Sequence, residues 1–494
     1  MKKSLIKIIS ILLISVLFLT FLTACKNDGN NGGISDEKNE VNGGGEQKTE
    51  ENDVPENAGI NYYTNIPEGL NFNGAAFTFL TYEGDSWDTY VDIEDFNGDV
   101  LNDAAYTRNL EVEELFGVEF STIKMGWENI AGAIKKNNAA GDNSYDLVLF
   151  FANTSPSSLI MDNLLYDWNK LPYVNTKAEW YNQSANDSFT IQAKQYLAVS
   201  DISYTIQQHW RYLFNKELCK TLGLDYPYQL VYDGKWTHDA LLGYIKNASL
   251  DLNGDGKMDA DDRYGLVINQ HHIGRKIKAW GEMPVTITPD GFELNIFSDR
   301  ISDMFDKLIE LSKNPDVLPL SLWTRDHMLF NQGSWLFNVF TTDPNLLRAV
   351  EVDFGYLPYP KYDEQQKNYI TVATGGFMCV PGNKTDEDAE RVGAVIEALS
   401  GASNKYIKDA FVTSYFENKI LRDEDSVNMF RLMRDEMFYD VSPFFDTTGL
   451  LDPIIPYYSD LILQGRDLAS KYESVNAKIE AALGKMWDSI IENQ

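Results

Sequence analysis

The sequence predicts an α/β protein of two lobes, built on mostly parallel sheets, with a hinge and C-terminal helices. Three observations carry this. Strand-like and helix-like patterns alternate from residue 75 onward. The pattern runs once to about residue 200 and then restarts. The stretch Tyr145-Asp-Leu-Val-Leu-Phe-Phe151 is almost continuously apolar, as strands covered on both faces are. At 494 residues with 44% hydrophobic and 13% aromatic content, the chain can fill large cores.

Each element follows from its own pattern. Residues 75–82 alternate as a strand, and 102–116 carry Ala105, Leu110, Val112 and Leu115 at helical spacing. A strand over 118–123, an amphipathic helix over 127–137 and the apolar strand come next. After Tyr196-Leu-Ala-Val-Ser-Asp201, residues 211–215 read as a strand and 216–222 as a helix. Thr237 caps a further helix to about residue 249. Strands are expected at 265–269 and 334–340, and a long helix at 298–313. Residues 354–357 and 369–380 are strand-like, with Pro358 and Pro360 between them; beyond Thr385 the chain is chiefly helical. Crossings between lobes fall near 200–203 and 348–352. One lobe is then 69–200 plus 351–395, the other 204–350 plus 396–491. Trp236 and Trp335 are expected in the core, and Cys219 and Cys379 as separate buried thiols.

The first residues read as an address and an anchor. Lys2, Lys3 and Lys7 precede an apolar run over 8–22 that ends Leu22-Thr23-Ala24-Cys25, the plan of a secretory signal. The tetrapeptide resembles the bacterial lipobox, whose cysteine becomes the lipidated first residue of the mature protein. It implies a signal peptide over 1–25, fatty acylation (palmitate) at Cys25 and a protein held on the outer face of the cell membrane. Residues 26–68 are expected to be a disordered tether, since 26–59 contain no aromatic residue and little that could be buried.

Composition narrows the partners. With 42 Lys+Arg against 74 Asp+Glu, the formal net charge is −32, which excludes nucleic acid as partner and docking of the folded body on anionic lipid. Three cysteines make no disulfide scaffold.

The sharpest local signal is Asp251-Leu-Asn253-Gly-Asp255-Gly256-Lys257-Met258-Asp259-Ala-Asp261-Asp262. Its spacing matches an EF-hand calcium loop, with a glycine where the chain must turn. Asp251, Asn253, Asp255 and Asp262 would ligate Ca2+ directly, Lys257 through its carbonyl and Asp259 through water. A strand, not a second helix, follows the loop, so the ion would be a structural clasp.

Further stretches run along the body in a telling order: Trp210-Arg-Tyr-Leu-Phe-Asn-Lys-Glu-Leu218, Asp233-Gly-Lys-Trp-Thr237, Phe330-Asn-Gln-Gly-Ser-Trp-Leu-Phe337, Gly355-Tyr-Leu-Pro-Tyr-Pro-Lys361, and Gly375-Gly-Phe-Met-Cys-Val-Pro381 ahead of a helix ending Glu397-Ala-Leu-Ser400. With the lipobox, this series resembles the extracellular solute-binding proteins of family 1, the maltose-binding-protein-like receptor lipoproteins of bacterial ABC importers. The resemblance implies a two-lobed, periplasmic-binding-protein-like fold of type II and a carbohydrate ligand between the lobes. It further implies ABC permease subunits as membrane partners, a lipid-tethered monomer and no catalysis.

Aromatic rings meet the C–H faces of a sugar and polar side chains meet its hydroxyl rim. On loops at strand ends, the candidates in the first lobe are Glu83, Asp85, Trp87, Asn153 and Thr154. Asp201, Tyr204, Gln207 and Trp210 lie near the crossover. Gln270, His271, Trp280, Phe340 and Asp343 belong to the second lobe, and Thr374 and Gly375 to the return strand. His271 and His272, adjacent at a strand end, point to opposite faces and are not read as a metal site. The rival readings are a surface glycoside hydrolase, since the many acids could include a suitably spaced pair, and a sugar sensor without transport.

Overall fold

A computed structural model describes residues 65–492 except 84–89, 92, 151–155, 207–209, 321–332, 341–346, 349, 374, 436 and 452–456, and describes the backbone alone at 205–206, 270–271, 340, 415 and 417–419. In chain order the strands are β1 (Ala75–Tyr82), β2 (Val118–Met125), β3 (Leu147–Phe150), β4 (Thr190–Ile191), β5 (Lys194–Gln195), β6 (Arg211–Asn215), β7 (Tyr264–Asn269), β8 (Val285–Thr288), β9 (Gly291–Leu294), β10 (Val317–Leu320), β11 (Trp335–Phe340), β12 (Phe354–Leu357), β13 (Thr371–Ala373), β14 (Phe377–Cys379) and β15 (Met437–Tyr439). Among the helices are α1 (Val100–Phe116), α2 (Trp127–Ala139), α3 (Lys216–Leu222), α4 (His238–Ile245), α5 (Asp299–Ser312), α6 (Asp386–Ser403), α7 (Glu424–Asp435) and α8 (Leu468–Glu492).

Helix ends follow from local chemistry. The Asp99 carboxylate accepts from the N–H groups of Leu101 and Asn102 to start α1, and Gly117 stops it in the left-handed region at φ 58°. The Thr237 hydroxyl accepts from Ala240 N–H at the start of α4, which ends at Ile245, short of the expected 249. Thr385 and Asp388 form a reciprocal capping box on α6.

Two sheets organise the body. The first has the order β14-β3-β1-β2, with β1 parallel to β2 and β3, and β14 antiparallel to β3. Its core includes Phe77, Phe79, Leu147, Leu149, Met378 and Val392. The second has the order β10-β7-β11-β6-β12; β7 runs parallel to β10 and β11, while β6 runs antiparallel to β11 and β12. Trp236 and Trp335 are fully buried in the core against it, as expected. Cys219 and Cys379 are free and buried.

Three differences from the sequence reading bear on the site. The stretch 369–380 is not one strand. Gly376, at φ 89°, helps turn the chain, so that β13 pairs with β15 while β14 joins the first sheet. Because β12 pairs with β6, the return to the first sheet falls after Leu357 and not at 348–352. Residues Gln270–Ile273 form a helical turn instead of a strand end, so the argument from opposite strand faces at His271 and His272 does not apply. A third passage follows α6, where Asn404–Lys408 and Ala410–Ile420 take a π-helical path before α7 packs Phe430 against Tyr356 of β12. Among the described residues, no helix is long and apolar enough to cross a membrane.

Candidate functional site

The segment 196–206 carries the chain from the first sheet to the second. Ala198 bridges Met378, and Tyr181 bridges Ser200, before a short 3-10 stretch begins at Asp201. The Asp201 carboxylate is buried, accepts from Asn404 Nδ2 at 2.7 Å and lies 3.7 Å from Lys408 Nζ. Burial pushes its pKa up to about 6, and Lys408, Asn404 and Arg434 hold the rise in check. Beside it, the Ser203 hydroxyl donates to Gly376 O at 2.6 Å, and Ser400 and Ser200 hydroxyls meet at 3.0 Å. The predicted Asp201 thus sits inside a hydrogen-bonded crossing.

The predicted aromatic residues divide. Tyr204 is buried, with the Arg434 guanidinium 3.9 Å from its ring centroid and the Phe411 ring edge-on at 5.6 Å. Its ring belongs to a packed stack and is no open platform for a sugar. Trp280 is a core residue: it is buried, its indole N–H donates to Pro360 O at 3.1 Å, and His238 and Tyr362 meet it edge-on. Trp210 is buried under the Arg275 guanidinium at 4.7 Å, but its indole N–H finds no hydrogen-bond acceptor among the described residues. Glu83 is exposed just beyond β1, its N–H donating to Met125 O at 2.8 Å, and Gly375 is buried between β13 and β14. Asp85, Trp87, Asn153, Thr154, Gln207, Asp343 and Thr374 lie outside the described residues, as do the side chains of Gln270, His271 and Phe340.

Sequence reasoning missed a set of buried polar groups near strand ends and crossings. Thr81 Oγ1 at the C-terminal end of β1, Thr371 Oγ1 on β13, Tyr439 Oη on β15 and both amide atoms of Asn338 on β11 are buried without a hydrogen-bond partner among the described residues. Only Asn338 left a signal, as the polar break in the apolar run 335–340. Charge is concentrated here too. Lys278 pairs with Asp440, which also accepts from Ser442 N–H at 3.0 Å. Lys276 is fully buried, donates from Nζ to Tyr212 Oη at 2.8 Å and lies within 5.8 Å of the Tyr212, Trp280 and Tyr359 rings. Burial lowers its pKa to about 7.

Among solved structures, the chain is similar to a cyclo/maltodextrin-binding protein complexed with maltotetraose, with 15% identity, 85% of this chain and 97% of that one covered, and a TM-score of 0.55. It is similar to the GacH receptor of Streptomyces glaucescens, described unliganded and with acarbose, at 12% identity over 85% and 98% with a TM-score of 0.54. It is also similar to UgpB from Mycobacterium tuberculosis in complex with glycerophosphocholine, at 12% identity over 84% and 99% with a TM-score of 0.54. The fold is that of two-lobed periplasmic binding proteins. No family model matches the chain, and no curated protein does.

The acidic loop stands apart from the crossings. Leu250 and Arg263 close it by exchanging backbone hydrogen bonds at 3.1 and 3.0 Å. Inside, Asp251 accepts from Gly254 and Gly256 N–H, Asn253 from Asp255 N–H, and Asp255 from Lys257 N–H. Asp259 accepts from Asp261 N–H at 3.0 Å. The Asp262 carboxylate is held below the usual carboxylate range by the N–H groups of Asp259 and Leu252. Gly254 and Gly256 occupy φ 74° and 79°, which a side chain would strain. Among the described residues, no three His, Cys, Asp or Glu side chains converge closely enough to hold a metal. Each carboxylate oxygen that accepts one N–H keeps a second lone pair, so the donor set itself suits a hard cation.

Proposed function

We propose that the chain is a non-enzymatic receptor that captures a sugar or oligosaccharide between its two sheets and hands it to the permease subunits of an ABC importer, from a lipid anchor at Cys25 on the outer face of the cell membrane. The observation that carries this is the set of buried, unpartnered polar atoms near strand ends and crossings: Thr81 Oγ1, Trp210 Nε1, Asn338, Thr371 Oγ1 and Tyr439 Oη. A folded chain normally pairs its buried polar groups. Such a set is suited to a guest rich in hydroxyls, which would satisfy them as the lobes close. The maltotetraose- and acarbose-bound neighbours support this ligand class. Against the hydrolase reading, the described buried carboxylates at the crossings are committed, Asp201 to Asn404 and Asp440 to Lys278 and Ser442.

The test is a thermal-shift screen of the mature protein with maltotetraose, acarbose, neutral monosaccharides and glycerophosphocholine. A ligand at a hundred times its Kd stabilises the native state by about 2.7 kcal/mol. A clear shift with a neutral saccharide that is recovered intact supports the receptor; catalytic release of cleaved product rejects it.

The loop 251–262 supports a second, structural proposal, a calcium clasp joining the end of α4 to β7. Asp251, Asn253, Asp255 and Asp262 would ligate the ion directly, Lys257 by its carbonyl and Asp259 through water. Removing calcium with EDTA should lower the melting temperature, and adding it back should restore it. An unchanged melting temperature in both steps rejects the clasp.

A further inference from the structure

One face of the second sheet carries polar side chains where sheets covered on both faces bury apolar ones. Val267, Asn338, Leu213 and Tyr356 stand in register across β7, β11, β6 and β12. Phe337 packs on Trp236 and Tyr244, so its neighbour Asn338 faces the other way. One row nearer the C-terminal ends of β7 and β11, alternation puts Asn269 and Arg211 on that same face. Asn338 is 0% exposed, and among the described residues neither its Nδ2 nor its Oδ1 has a hydrogen-bond partner. An apolar residue of the same size would fill the place without leaving two hydrogen-bonding groups unmade. Ligands of open α/β sheets sit in the crevice outside the carboxyl ends of the strands, the edge toward which this polar stripe runs.

We propose that Asn338 reads the ligand: its carboxamide donates from Nδ2 to one hydroxyl and accepts at Oδ1 from the neighbouring hydroxyl of a pyranose ring seated at the C-terminal edge of the second sheet. This rests on the receptor reading above. A carboxamide offers a donor and an acceptor side by side, and two neighbouring hydroxyls supply the matching pair. A phosphate or carboxylate would meet the donor but repel Oδ1, so the residue selects for neutral, polyhydroxylated solutes.

The test compares Asn338→Leu and Asn338→Asp with the wild type in the mature chain. Without ligand, N338L should unfold at a higher temperature than the wild type, because an unmade pair of hydrogen bonds has been replaced by apolar packing. A lower unfolding temperature would show that the amide supports the fold and would overturn the inference. In calorimetric titrations with glucose, galactose, xylose and maltotetraose, whichever sugar binds the wild type should bind N338L about tenfold more weakly or worse. N338D, which keeps the acceptor and loses the donor, should also lose affinity. Equal affinity of N338L and the wild type overturns the inference while leaving the receptor reading intact. Binding of none of these sugars by the wild type removes the receptor reading and this inference with it.

Discussion

Two enclosed polar positions, one beside each sheet, are treated in opposite ways. Beneath the first sheet, Asp146 is almost fully enclosed and every oxygen is engaged. Oδ2 accepts from Thr78 N–H at 2.8 Å and Arg391 at 3.1 Å, while Oδ1 accepts from Arg391 at 3.0 Å with Lys384 at 3.5 Å. Arg391 reaches on to Ala76 O at 2.7 Å. Beside the second sheet, Lys276 is just as enclosed, yet among the described residues it has no carboxylate partner, and the Asn338 carboxamide has no hydrogen-bond partner. The first arrangement ties α6 to β1 and β3 and leaves nothing to be bound. The second keeps hydrogen-bonding capacity in reserve, which is what a ligand site requires and a scaffold does not.

The sharpest way to break this contrast is to remove Asp146. Asp146→Ala leaves buried Lys384 without its carboxylate, Arg391 with Asp388 alone as counter-charge, and an N–H of β1 unpaired, so the loss should be about 3–5 kcal/mol. Urea unfolding of the variant would measure it; a loss below about 1 kcal/mol would mean that the network is ornamental. A smaller effect of opposite sign is expected at the second sheet. Lys276→Met replaces an enclosed ammonium with a residue of similar length and should stabilise the protein near neutral pH by about 1–3 kcal/mol. The lysine's pKa falls from its unfolded value of about 10.4 to about 7 in the fold, so between these values the unfolded chain binds a proton that the native protein does not. Wild-type stability should therefore climb with pH across that window, by at most about 1.4 kcal/mol per unit, and the advantage of K276M should shrink accordingly. Parallel pH profiles for the two proteins would show that Lys276 keeps its charge throughout.

These same residues show what could be read from the chain alone. Local signals survived folding well: β1, β6, β12 and α3 fall where periodicity put them, and Thr237 caps α4 and Thr385 opens α6 because a short polar side chain needs only the next turn to act. The Asp99 cap, three residues ahead of the expected helix start, was missed. What failed was non-local. That 369–380 divides between two pairings depends on which strands lie beside it, β15 and β3, hundreds of residues away in one case. Tyr204 and Trp280 were chosen as aromatic residues near the crossover and a strand end, but whether a ring faces a ligand or a cation is decided by side chains such as Arg434 and Lys276 from other elements. Asn338 was passed over because one amide inside an apolar strand gives no sign of whether its partners exist.

The finest test of the contrast lies between the sheets, at Asp201. Its carboxylate is neither as fully compensated as Asp146 nor as bare as Asn338: burial raises its pKa to about 6, while Lys408, Asn404 and Arg434 pull it back and Glu179 adds to the rise. The unfolded chain releases that proton near pH 3.9, so the native protein is the tighter proton binder between about pH 4 and pH 6. The stability linked to this proton is complete below pH 4 and is lost as the pH rises through 6. Asp201→Asn keeps an oxygen for Asn404 Nδ2 but cannot titrate. Relative to this variant, the wild type should lose about 2 kcal/mol between pH 4 and pH 7, read from urea midpoints at each pH. If D201N shows the same slope as the wild type, the proton is bound elsewhere; Glu397, whose carboxyl burial pushes up to about 7, is then the group to replace. If the slope vanishes, the crossing segment itself carries an ionisable group that the fold tolerates without fully neutralising. The intermediate character of the junction, between a closed scaffold and an open site, would then have a measured value.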